Sequence, residues 1–196
     1  MKIDIYLQPL WKTLAAVCGC GARAVLMCVY GNRAYEDTLV ELADTAEKAG
    51  FHVIAAVAAI AEHSVVRRFA AGRPDAADRA RLDEFAKAIY QKLQSNDRTR
   101  PYIPGNRPYK RFGGSGMVPL PNDDCVRCGL CAKQCPVRAI DKSDVSVVNS
   151  SLCFACMRCV SLCPKKVRGV DPARLAALAA HLEPLCSGRK ECELFI

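Results

Sequence analysis

Cys125-Val-Arg-Cys128-Gly-Leu-Cys131-Ala-Lys-Gln-Cys135-Pro136 reads C-x2-C-x2-C-x3-C-P. Cys153-Phe-Ala-Cys156-Met-Arg-Cys159-Val-Ser-Leu-Cys163-Pro164 reads the same. All four cysteines and the proline recur at an offset of 28 residues, so the stretch is an internal repeat. A loop with a cysteine at every third position curls around one corner of a cube. It presents three thiolates while its backbone amides point inward. The fourth ligand must come from elsewhere, and the proline after it withholds an N–H and turns the chain out of the loop.

This spacing is that of bacterial [4Fe–4S] sites, in which the cysteine before proline ligates the other cluster. The expected sets are therefore crossed. One cluster takes Cys125, Cys128, Cys131 and Cys163; the other takes Cys153, Cys156, Cys159 and Cys135. Zinc also binds four thiolates, but its usual sites pair two C-x2-C knuckles. Three close cysteines and a distant fourth, twice over, suit a cube better. About fifty residues have too little core to stand alone, so the clusters are expected to be part of the domain's fold. Apolar neighbours (Val126, Leu130, Ala132, Phe154, Val160, Leu162) and basic ones (Arg127, Lys133, Arg158) have opposite effects on a cluster's potential.

The remaining cysteines follow no ligand spacing. Of 13, three lie early (Cys18, Cys20, Cys28), none between Val29 and Asp124, and ten from Cys125 onward. Cys186 and Cys192 complete the five outside the repeat. The N-terminus Met1-Lys2-Ile3-Asp4 has no secretory pattern and no apolar run approaches a membrane span. The expected location is cytoplasmic, where regular cysteines signal metal or redox chemistry rather than disulfides. The formal charge is +8. Two oxidised clusters with their eight thiolates would lower it to about +4, which weakens a nucleic-acid role. No pattern for nucleophilic or paired acid–base catalysis is present, and His52, His63 and His181 form no triad or metal motif.

Upstream, the patterning is that of a layered α/β domain. Residues 24–30 (AVLMCVY) form a short apolar run that ends at Gly31-Asn32, a strand and a turn. Glu36 and Asp37 then open a helical stripe of Leu39, Leu42, Ala43, Ala46 and Ala49, with Gly50 after it. Residues 53–60 form a second strand-length run, although its alanines also permit a helix. Pro74-Asp75 opens a second helix with Leu82, Phe85, Ala86, Ile89 and Leu93 on one stripe. Near-continuously apolar strands separated by helices imply parallel pairing. A further short strand is expected at Ile3 to Leu7. Residues 98–118 (RTRPYIPGNRPYKRFGGSGMV) hold five basic residues, no acid and no periodicity. They read as a linker, either a solvated tether or a basic strap against an acidic partner. Asp171-Pro172 caps a last helix with Leu175, Leu178, Ala179 and Leu182 on one side.

Two segments carry a resemblance. Residues 25–38 (VLMCVYGNRAYEDT) resemble the fourth strand and following loop of a flavodoxin-like domain, and residues 51–64 (FHVIAAVAAIAEHS) its next strand. With the double cysteine motif behind them, the order resembles the bacterial flavodoxin–ferredoxin fusion family, mostly of anaerobes. The resemblance implies flavin mononucleotide for full-length members. It places Tyr30, Gly31, Asn32, Arg33 and His63 facing the flavin ring. The family's Ser/Thr- and Gly-rich phosphate loop has no counterpart here, so FMN is not expected to be held stably.

The resulting expectation is α/β plus α+β. A partial flavodoxin-like parallel sheet (1–96) and the basic linker (97–118) precede a two-cluster ferredoxin domain (119–170) and a C-terminal helix and tail (171–196). Such a chain would relay single electrons to or from a redox partner protein. The alternative is a flavin-dependent oxidoreductase subunit coupling FMN to the clusters. A third reading is a regulatory or nucleic-acid-binding protein with the basic linker on phosphate. Strands without their neighbours leave apolar edge and face bare. Residues 1–96 alone are therefore expected to be insoluble or to associate, as a dimer or with a complementing flavodoxin half. Size-exclusion chromatography of that fragment checks this, and a clean, stable monomer would contradict it.

Overall fold

The computed structural model describes residues 13–14, 16–110 and 116–196. In chain order the elements are β1 (Arg23–Tyr30), α1 (Thr38–Lys48), β2 (His52–Ile60), α2 (Ala76–Gln94), β3 (Leu120–Pro121), α3 (Leu130–Lys133), α4 (Arg158–Ser161), β4 (Arg168–Gly169), α5 (Pro172–Cys186) and β5 (Glu193–Phe195). They fall into two compact units. One takes most of the first 110 residues together with 184–196; the other takes 64–66 and the chain up to Glu183.

In the first unit β1 and β2 pair in parallel, from Arg23 opposite His52 to Tyr30 opposite Ile60. The run at 53–60 is thus a strand, and every one of its residues is buried. Four of its eight residues are alanines and the rest are β-branched, so helices can approach both faces closely. On one face Leu39, Ala43 and Ala46 of α1 pack on Leu26, Cys28, Val53, Ala56 and Ala58. On the other, Phe85 of α2 packs on Val57, Ala59 and Ile60, with Leu82 and Ile89 partly buried beside it. Ala86, expected on that stripe, is exposed. The alternation of β1 is equally plain. Leu26 and Cys28 face α1, whereas Val25, Met27 and Val29 are exposed.

The sheet differs from the expected one in size and sense. Among the described residues it has three strands in the order β1-β2-β5. The third runs antiparallel to β2, with Ala56 opposite Phe195 and Ala58 opposite Glu193. A tail expected to belong with the cysteine domain thus completes the sheet of the first unit. A flavodoxin-like parallel sheet is not established by two parallel strands. The strand expected at Ile3 to Leu7 lies outside the described residues.

A buried ion pair fastens this tail. Asp75 caps α2 and exchanges hydrogen bonds with Asp78 in a capping box. Asp78 is fully buried and receives the Arg73 guanidinium through both oxygens, with Arg73 Nε at 2.7 Å from Oδ2. Arg73 Nη1 donates in turn to the Lys190 carbonyl at 2.6 Å, and Arg189 reaches Asp75 at 2.7 Å. One strand further in, Ile60 N donates to Cys192 Sγ at 3.4 Å.

The described part of the basic stretch is tied to α1 and the residues before it, with its basic side chains still largely exposed. Arg107 forks onto Asp44 of α1 (2.6 and 2.8 Å), and Tyr109 donates to the same carboxylate at 2.5 Å. Arg100 pairs with Glu47 at 3.2 Å and Lys110 with Glu36 at 2.9 Å. Asp37, at the N-cap of α1, makes no side-chain cap bond. Its carboxylate accepts instead from the backbone N–H groups of Asn106 (2.8 Å) and Lys110 (2.6 Å). Gly105 is required here, since a Cβ would lie 2.3 Å from Val40 Cγ1. The acidic partner of the strap is the chain's own first helix.

Arg73 beside Asp78 holds that carboxyl below the usual carboxylate range, and burial opposes it less strongly. A depressed carboxyl contributes stability above its unfolded pKa of about 3.9, and loses it as pH falls through the lowered folded value. Wild-type stability should therefore be flat in this contribution from about pH 6 to 8 and fall below about pH 4. Asp78→Asn strands the Arg73 charge and should cost about 3–5 kcal/mol at neutral pH in urea unfolding. An unchanged midpoint would contradict the role given to the pair.

Candidate iron–sulfur centre

In the second unit the internal repeat is visible in the backbone. Helices α3 and α4 are related by the same 28-residue offset. So are three pairs of residues with positive φ: Arg127 (52°) with Ala155 (55°), Gly129 (74°) with Met157 (58°), and Arg138 (52°) with Lys166 (55°). Five of these six carry side chains in a region that L-residues rarely adopt. A left-handed residue between right-handed ones turns successive N–H groups to one side and makes an anion-binding concavity. The hydrogen bonds repeat too. Lys133 N donates to Gly129 O and Ser161 N to Met157 O, both at 3.0 Å. Arg138 N donates to Cys135 O at 3.2 Å and Lys166 N to Cys163 O at 3.1 Å.

These loops enclose two cavities. One is lined by Cys125, Cys128, Cys131 and Cys163, with Val126, Leu130 and Val145 among its walls. The other is lined by Cys135, Cys153, Cys156 and Cys159, with Phe154 and Ile140. Each set joins three cysteines of one repeat with the pre-proline cysteine of the other, so the crossed grouping expected from the spacing coincides with the grouping in space. All eight thiols are free. Two small cores support the loops. Ala132, Ile140 and Val145 form one; Met117, Ala155 and Met157 form the other, against which Leu178 of α5 packs. Asp171 Oδ1 caps α5 by accepting from Arg174 N at 2.9 Å.

Three observations test whether these residues suit an anionic iron–sulfur group. Backbone N–H groups converge on sulfur. Ala139 N reaches Cys135 Sγ at 3.3 Å. Burial opposes the Cys163 thiolate, but the N–H groups of Val167, Lys165, Arg168 and Lys166 outweigh it and lower its pKa. Arg168 is buried (4% exposed) and lines both cavities. Its Nε and Nη2 have no hydrogen-bond partner among the described residues. Donors without acceptors and a cation without a carboxylate, all facing eight thiols, match a group that carries sulfur and negative charge.

The residues expected to border a flavin are engaged elsewhere. Asn32 is buried; its Nδ2 donates to the carbonyls of Cys186 and Gly188, both at 2.8 Å, and its Oδ1 accepts from Lys190 N at 3.2 Å. Arg33 pairs with Glu36, and its carbonyl receives Lys190 Nζ. Tyr30 packs edge-on against Tyr35, ring centroids 5.3 Å apart, and burial pushes its hydroxyl pKa up to about 12. Gly31 lies tight on His63, whose Cα would be 2.6 Å from an added Cβ. Burial, then Arg33, holds His63 below its ordinary pKa. The Asn32 amide and the Arg33 carbonyl are thus taken up by residues 186–190 of the C-terminal tail.

Of the five other cysteines, Cys28, Cys186 and Cys192 are buried, and burial pushes the Cys28 thiol up to about 12. Cys18 and Cys20 are exposed, with sulfurs 2.6 Å apart. Sequence reasoning passes over Arg168. The signal is present nonetheless: the 28-residue offset aligns it with Ile140, so a charged residue stands where the repeat has an apolar one.

Residues 114–168 match the family model of the 4Fe-4S dicluster domain. A polyferredoxin of Methanothermobacter thermautotrophicus is 35% identical over 48 residues, 24% of this protein and 12% of that one. The B component of the polysulfide reductase of Wolinella succinogenes is 36% identical over 76 residues, 32% of this protein and 40% of that one. A ferredoxin of Butyribacterium methylotrophicum is 45% identical over 31 residues, 16% of this protein and 56% of that one. The match thus spans about an eighth of the polyferredoxin, and about half or less of the other two. No solved structure matches. Residues 114–168 thus carry a ferredoxin-type 4Fe-4S domain. Neither the family match nor these relatives extend the likeness to a flavodoxin.

Asn32→Ala should leave the buried Cys186 carbonyl, the Gly188 carbonyl and the Lys190 N–H without this partner, at about 1–3 kcal/mol. The measurement is thermal unfolding alongside FMN fluorescence titration. Lower stability is expected with no flavin quenching in either protein; saturable quenching by wild type that Asn32→Ala abolishes would return the turn to a flavin role.

Proposed function

We propose that the protein carries two [4Fe–4S] clusters and passes single electrons between redox partners. The observation that carries this reading is the sorting of the eight repeat cysteines into two cavities of four. Cys125, Cys128, Cys131 and Cys163 would hold one cluster; Cys153, Cys156, Cys159 and Cys135 would hold the other. When bound, each cluster takes up and returns one electron. The chain's own residues supply the surroundings. The left-handed turns at Arg127, Gly129, Ala155 and Met157 present N–H groups to sulfur. Val126, Leu130, Phe154 and Ile140 limit water at the walls. Crossing of the pre-proline cysteines ties the two repeats into one unit and brings the two sites together.

The relatives' names support a relay role: two are a ferredoxin and a polyferredoxin, and one is a component of a polysulfide reductase. The partner proposed here is accordingly another redox protein or subunit. The flavin-coupled alternative loses support at Asn32, whose amide is taken up by residues 186–190.

Anaerobic reconstitution should yield about eight irons and eight sulfides per chain and a reducible visible chromophore. Cys163→Ala removes one ligand of one site and should roughly halve the iron while leaving a [4Fe–4S] signal. Zinc in place of iron, or full iron retention in Cys163→Ala, would overturn the ligand sets.

A further inference from the structure

The 28-residue offset that relates the cysteines also relates Ile140 to Arg168, each following its pre-proline cysteine by five residues. Both side chains are buried, 5% and 4% exposed. The repeat therefore has near-symmetric backbone and cysteines but differs in kind at a position that is buried in both halves. An apolar residue occupies it on one side and a guanidinium on the other.

Arg168 is not there for an ordinary structural pairing. Its partners among the described residues are the Val145 carbonyl, 2.8 Å from Nη1, and the Cys131 thiol at 3.7 Å from the same nitrogen. Neither is a carboxylate. Nε and Nη2 are buried without a partner among the described residues. Cys131 and Cys159 belong to different cavities, and Arg168 lines both. A buried, unpaired guanidinium is strongly unfavourable unless an anion compensates it. A [4Fe–4S] group with four thiolates carries about −2 when oxidised and about −3 when reduced. Two such groups flanking Arg168 would repel each other, the more so with each electron added.

We propose that Arg168 is a shared donor between the two clusters: its free N–H groups bond their sulfurs, and its charge favours the reduced form of both. The proposal rests on the two-cluster reading above. It assigns the site's tuning to one residue rather than to the several basic residues around the motif. Arg127 and Lys133 are exposed, where solvent screens charge; Arg168 acts from inside.

The test is protein-film voltammetry of anaerobically reconstituted wild type, Arg168→Met and Arg168→Lys, with iron and sulfide counted first. Arg168→Met keeps the length and apolar character of the position and removes the cation. With both clusters retained, each reduction equilibrium constant should fall about tenfold or more, about 59 mV per tenfold for one electron. Arg168→Lys keeps the charge but loses the planar fork and should fall by less. Exchangeable-proton couplings to the reduced clusters, read by electron–nuclear double resonance, should weaken in both variants. Unchanged potentials in Arg168→Met at full iron would overturn the proposal and leave the two-cluster reading intact. Should Arg168→Met lose its iron, Arg168→Lys decides: full iron with wild-type potentials and couplings would overturn it. Failure of wild type itself to take iron would sink both.

Discussion

The second unit sets four cysteines, drawn from two loops 28 residues apart, around each of two cavities. No single loop of this spacing can do it. Three cysteines at every third position use up one turn of curled backbone, and the fourth position must be reached from the other repeat. The exchange of Cys135 and Cys163 between cavities is the solution. Its consequence is that neither repeat is complete without the other. The helices that follow the third-residue spacing are a single turn each, too short to be stable by themselves. The apolar support among the described residues includes two clusters of three buried residues each.

The first unit is organised by the opposite means. A strand of nine residues, eight of them fully buried, takes helices on both faces, and its free edge is closed by the last residues of the chain. Closing it requires the tail to be held, and Phe195 packs on one core of the sheet while Cys192 and Leu194 join the other. Charge and amide bonds add to this: Arg73 and Asp78 grip Lys190 and its neighbours, and Asn32 grips residues 186–190. These polar groups lie at the ends of the strands, where buried backbone carbonyls need donors. The same residues, which in sequence form a turn fit to border a ring, complete a backbone.

How legible this is in the sequence follows from the range of each interaction. The thiol sets are legible because a fixed spacing encodes their geometry locally and the repeat displays it twice. The parallel pair is legible from two apolar runs separated by an amphipathic stripe. The antiparallel β5 is not, because three residues, Glu193 to Phe195, carry no period and pair with Ala56 to Ala58, far back along the chain. The strap reads as a tether because its composition, rich in Pro, Gly and Arg, is that of solvated chain. What decides it is the row of acids on and before α1 (Glu36, Asp37, Asp44, Glu47), which the apolar stripe of that helix leaves on the side away from the sheet.

Arg168 shows a further limit. Residue types near a ligand can be listed from sequence, but which of them lose contact with water cannot. Arg127, Lys133 and Arg158 stand closest to the cysteines in sequence and are not buried, whereas Arg168 stands five residues beyond Cys163 and is enclosed. A charge is effective in proportion to its exclusion from water. The informative comparison is therefore between the two halves of the repeat rather than between neighbours along the chain. The two halves agree in cysteines, left-handed turns and hydrogen bonds, yet a position buried in both holds Ile on one side and Arg on the other. On the two-cluster proposal that difference answers to what the two cavities would hold, because a cation that lines both would meet two negatively charged groups.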